Sequence, residues 1–144
     1  MKDKSINELI ELANSNDISA LCELASRFEL GEGGAEKDYK KSFEYYLRAA
    51  ELGDAGAQFW VGYKYFHQQG TEKNDKEMIK WLKKSADQEN SMAQWLLGGL
   101  YIEGKKNFID IEENIELGME LLNKSAQSGN EFAKKKLEEL KENL

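Results

Sequence analysis

The chain contains no proline, one cysteine, one histidine and no long uninterrupted hydrophobic run in its 144 residues. Without a pyrrolidine ring to clash with a preceding turn, nothing in it breaks a helix by ring sterics. Cys22 has no second cysteine to pair with, which argues for a reducing compartment. One cysteine and one histidine also fall short of the usual four-ligand zinc set. No stretch has the alternating Asp/Asn spacing of a calcium loop, so neither metal nor cofactor is expected. Charges interrupt every apolar stretch of the N-terminal run MKDKSINELIELANSND, which therefore lacks the core of an export signal. No segment approaches the length of a membrane span. A cytoplasmic protein is the expectation. Arginine is scarce too: only Arg27 and Arg48 could grip carboxylate or phosphate in a bidentate fork.

What is present is charge and helix-forming residues. The composition, 40% hydrophobic and 33% charged, is that of a globular, helix-rich chain of one-domain size. Acidic residues outnumber basic ones by 27 to 20, a net charge of -7. That sign opposes binding to nucleic acid or an anionic membrane and favours a basic partner.

Ser5 and Glu8 form a capping box ahead of a short helix ending about Asn14. Asp17 caps a second helix that stops near Gly31, and Asp38 a third that ends at Gly53. Asp54 opens a helix closed by Gly70, Asn74 with Glu77 opens the next, and Asn90 opens one ending at Gly104. Asp110 with Glu113 is expected to start a helix reaching Gly129, and Asn130 starts the last. Small residues recur in register: Ala20 to Ala57 is 37 positions, Ala57 to Ala93 is 36 and Ala93 to Ala133 is 40. Ala50, Ala86 and Ala126 repeat with spacings of 36 and 40, which places a short insertion between Gly104 and Asn114. Such a period means stacked supersecondary units. The expected single domain, 1–144, has an N-terminal helix (1–16), units at 17–53, 54–89 and 90–129, and a capping helix (130–144) with a polar face.

The runs Ala57-x3-Val61-Gly62-x2-Tyr65-x4-Gly70 and Trp81-Leu82-x2-Ser85-Ala86, with Ala20-x3-Leu24-x3-Phe28 and Ala49-Ala50-x2-Gly53, resemble the Sel-1-like repeat, a relative of the tetratricopeptide repeat. Ala25 stands where the first unit would have glycine, and Ser42, Ile79 and Met119 vary at packing positions of the second helices. The cysteine pairs of secreted members are absent. The resemblance implies an all-α, right-handed solenoid of antiparallel hairpins, about eight helices in all. It also implies a non-catalytic adaptor that binds a protein or peptide through its concave face, as a monomer or weak homodimer. A sharper form is a cytoplasmic immunity or inhibitor protein that neutralises a basic toxin. A hydrolase is the alternative of another class, and no set of nucleophile, base and metal ligands speaks for it.

In such a stack the first helix of each hairpin lines the concave side. Turning Ala57, Val61 and Tyr65 inward leaves Phe59, Tyr63, Phe66 and His67 on the other side, joined by Met92, Trp95, Gly99, Ile102 and Glu103 in the third unit and Glu29 in the first. Tyr63, Phe66 and Ile102 are expected to be exposed. Phe59 and Trp95 stand either in the groove or packed on a neighbouring hairpin, and Trp60 sits at the boundary. Glu29 and Glu103 would frame the apolar surface and steer encounter. Cys22 and His67 fall about 12 Å apart along the stack axis, too far for a nucleophile and its base. The insertion at 104–114 is a second candidate surface.

Overall fold

Each helix begins where the sequence supplies a side-chain oxygen. Ser5 and Glu8 form the reciprocal capping box of α1 (Ile6–Asn14). Thereafter an Asp or Asn accepts from the backbone N–H three residues on, as Asp54 does from Ala57 at 2.8 Å. In this computed structural model, which describes residues 1–104 and 111–143, the order continues with α2 (Ile18–Leu30), α3 (Tyr39–Glu51), α4 (Ala55–His67) and α5 (Asp75–Asp87). It closes with α6 (Ser91–Glu103), α7 (Ile115–Gln127) and α8 (Glu131–Glu142). Among the described residues there are eight helices and no strand, and each helix packs chiefly on its neighbours in sequence. The molecule is an all-α solenoid of helical hairpins.

Small residues set the hairpin crossings. Ala20, Ala57, Ala93 and Ala133 are all buried. A Cβ on Gly98 would lie 2.9 Å from the carbonyl oxygen of Gly118, and one on Gly118 would lie 2.7 Å from that of Gly98, so α6 and α7 meet backbone to backbone. The inward residues of the second helices are Ser42, Met78 and Gly118. Ile79 and Met119, which the sequence reading put there, are one residue off and half-buried; the 36- and 40-residue spacings lead from Ser42 to Met78 and Gly118. Hydroxyls tie the hairpins: Ser85 Oγ donates to the Ala55 carbonyl at 2.7 Å, and its counterpart Ser125 to that of Ser91 at 2.6 Å.

Two element ends differ from expectation. α4 ends at Gln68, which is left-handed at φ 55°, and not through Gly70. Gly70 serves the packing instead: a Cβ there would fall on the Tyr39 carbonyl, and φ 78° suits glycine. α7 starts after Asn114 and not from Asp110, which lies outside the described residues. Asn114 accepts from Leu117 N through its side chain and donates its own N–H to the Tyr101 carbonyl, while Ile111 is buried in the core just before it. These bonds hold the chain extended until residue 115. The core forms two clusters, one over α1–α3 reaching Val61 and Trp81, the other around Phe59, Met78, Leu82 and α6. Trp60 and Tyr65 pack on both.

Candidate functional site

Helices α4, α6 and α8, each the first of its unit, share one face, because Phe66 of α4, Trp95 of α6 and Lys136 of α8 border a single pit. Tyr63 and Phe66, expected to be exposed, are half-buried and flank His67, whose ring lies 4.3 Å from that of Tyr63 and 4.9 Å from that of Phe66. Burial holds the His67 pKa below the ordinary histidine value. On the α6 side Trp95 lies 5.1 Å from Phe132 of α8, which is 56% exposed. Phe66 and Trp95, one ring from each pair, border a pit together with Gly99. A Cβ at Gly99 would meet nothing within 4 Å, and the pit over it has a volume of about 150 Å³.

Not every expected site residue joins this face. Phe59 is 2% exposed and belongs to the core with Ala93 and Leu97; at its place in the unit α6 closes over it, with Trp60 edge-on at 5.2 Å. Trp95 takes the same place one unit later but has only α8 beyond it, and stays half-buried. Ile102 is half-buried against α7, filling the room that Gly118 leaves, and does not line the pit. Met92 is half-buried, and its sulfur accepts from Asn130 Nδ2 at 3.2 Å.

The two framing carboxylates are engaged. Glu29 binds the ammonium of Lys64 at 2.5 Å. The Lys64 side chain is fully buried, and its charge also sits 5.6 Å from the rings of both Tyr39 and Tyr46. Reversing the charge of Glu29 would therefore unpair a buried cation before it altered any steering. Glu103 pairs with Lys136 at 3.1 Å. Sequence reasoning missed Lys64, Phe132 and Lys136. The period offered a signal for two of them: Lys64 occupies the place of Arg27 and Leu100, both buried, and Phe132 that of Met92.

Cys22 and His67 make no contact with each other. Burial first, and the Asp54 charge second, push the Cys22 thiol up to about 11, so little thiolate exists near neutral pH. Among the described residues no cluster of three His, Cys, Asp or Glu could hold a metal, and no helix is long and apolar enough to cross a membrane. A wider opening, about 740 Å³, lies between α5 and α7, with Lys76, Lys80 and Lys83 on one side and Glu112 and Glu113 on the other. It contains part of the insertion proposed as a second surface; residues 105–110 of that stretch lie outside the described residues.

A family model described as the Sel1 repeat matches residues 18–54, 55–90 and 91–130. The chain belongs to the Sel1 repeat family. Sel1 repeats in general mediate protein–protein interaction and are typically non-enzymatic. Across 107 residues the chain is 36% identical to the chitin synthase regulator SKT5 of Saccharomyces cerevisiae, covering 71% of this chain and 15% of that one. This chain thus spans a small part of the regulator's length. Among solved structures, a Sel1 repeat protein of Oxalobacter formigenes matches with a TM-score of 0.78 and 32% identity, covering 92% of this chain and 96% of the other. The Helicobacter pylori cysteine rich protein B matches with a TM-score of 0.65 at 18% identity, over 92% of this chain and 97% of its own, a likeness of fold.

Proposed function

We propose that this Sel1 repeat chain is a non-catalytic binding module that holds a protein or peptide on the face shared by α4, α6 and α8. The observation that carries the reading is the set of aromatic rings on that face, half-buried Tyr63, Phe66 and Trp95 and exposed Phe132, with Phe66 and Trp95 bordering the bare Gly99. Helix surfaces turned to solvent are ordinarily polar, and an apolar cluster of this kind marks an interaction site. Rigid aromatics with few rotatable bonds lose little entropy on binding, which suits them to carry affinity. The net charge of -7 supports a basic partner, drawn in by long-range attraction that salt screens.

A photoreactive amino acid placed at Tyr63 in the native cell should cross-link the partner, whereas one at Lys83, on α5, should not. With the captured partner in hand, Tyr63→Ala should weaken binding by about 2 kcal/mol in calorimetry without loss of helical content. Association should also slow as salt rises from low to moderate ionic strength. Cross-links from Lys83 alone would move the site to the second-helix side and end this reading.

A further inference from the structure

Resting on that reading, we propose that the pit over Gly99 is the specificity pocket of the face, and that it takes one uncharged side chain of leucine or phenylalanine size from the partner. Its walls are the carbon surfaces of Phe66, Trp95, Leu96 and Leu100, with the bare backbone of Gly99 between them. At the rim the carboxylate of Glu103 and the ammonium of Lys136 hold each other at 3.1 Å. They are the one acid and the one base among the described lining residues, and their charges cancel. Burying a charged guest would strip its water without supplying a counter-ion, a cost that an apolar side chain escapes. The volume, about 150 Å³, sets the size. An apolar protein cavity of about 150 Å³ accommodates benzene, so one phenyl or isobutyl group fits. In the preceding unit the corresponding position is Tyr63, a half-buried ring where the third unit has bare backbone. The absence of any neighbour near a Gly99 Cβ means that the glycine is not needed for packing within the chain. Glycine in mid-helix costs stability relative to alanine, and an open pit is what this one provides.

The test uses the full chain and four blocked tripeptides, acetyl-Lys-X-Lys-amide with X as Phe, Leu, Ala or Asp, the lysines matching the protein's negative charge. Binding is read by amide and indole NMR shifts. The Phe and Leu peptides should shift the Gly99 amide and the Trp95 indole saturably, at least about tenfold more tightly than the Ala and Asp peptides. Gly99→Leu, whose Cβ meets nothing within 4 Å and whose side chain covers the pit, should abolish those shifts at unchanged helical content, and Gly99→Ala should weaken them partly. Equal binding of the Ala or Asp peptide, or Phe-peptide binding unchanged by Gly99→Leu, overturns the pocket. Shifts confined to Tyr63, His67 and Phe132 overturn the pocket while leaving the face as the binding surface. No saturable shift anywhere on α4, α6 and α8 overturns the pocket as well, and the cross-linking at Tyr63 then decides the face separately.

Discussion

The Lys64 ammonium is the residue-scale feature on which the middle of the stack depends. Its four-carbon stem runs through the core, and its charge is met by Glu29 of the preceding unit and by two tyrosine rings. Glu29→Ala leaves that buried charge with the rings alone. The expected cost in urea denaturation is about 3 kcal/mol, the low end for a broken buried pair, because the cation–π contacts persist. Adding Lys64→Met to Glu29→Ala keeps the stem and removes both charges, and should recover most of that loss. A Glu29→Ala protein as stable as the parent would show the pair to be idle. Arg27, at the same place one unit earlier, spends its guanidinium on Glu23 and on the carbonyls of Met1, Lys2, Lys4 and Gly33, so it holds the N-terminal residues and not an external anion. Cys22 gives a pH signature. Its thiol ionises near 9 in the unfolded chain and near 11 in the fold, so between those values the unfolded state has fewer protons and stability falls as pH rises. Burial of the Tyr46 phenol acts in the same direction at higher pH. Cys22→Ser should flatten part of the slope between pH 9 and 11 in denaturation curves; an unchanged slope would remove Cys22 from the account.

At the scale of elements, adjacent glycines on α6 have opposite roles. Gly98 faces α7, where a methyl group would meet the Gly118 carbonyl at 2.9 Å and Leu122 Cγ at 3.1 Å. Gly98→Ala must push two helix backbones apart and should cost about 1–3 kcal/mol. Gly99→Ala places its methyl in open space and should stabilise by up to about 1 kcal/mol, the helix preference for alanine. Thermal melting of the two variants reads both signs. Equal effects would mean that α6 is rotated from the orientation described. The spacing puts Gly98 at the place of Gly62, although the sequence reading took Ala93 as the small residue of that crossing. It could not tell that its partner is Gly118 and not a side chain, because that depends on how closely α7 approaches.

For the whole molecule, nearest-neighbour packing means that stability declines toward the free ends. Helix α8 has only Ala133 buried and packs on α7 with a small contact to α6, whereas α4 and α5 have packed helices on both sides. Native-state hydrogen exchange should therefore show the weakest amide protection in α8 and the strongest in α4 and α5. Uniform protection along the chain would contradict a stack in which each unit leans on its neighbours.

The sequence by itself determined the helices, their N-caps save that of α7, and the period, because these are local: a capping oxygen acts within three residues, and a small residue every 36 to 40 positions marks each crossing. Its family resemblance rested on the same local pattern. The candidate face was legible in Tyr63, Phe66, His67 and Trp95. Only the tertiary structure decided that Phe59 is core, that Ile102 fills the space beside Gly118, that Glu29 answers a buried lysine, and that Gly99 leaves a pit between Phe66 and Trp95. A helical wheel gives the direction of a side chain. What covers it is supplied by the next unit and by α8, at distances that spacing along one chain does not encode.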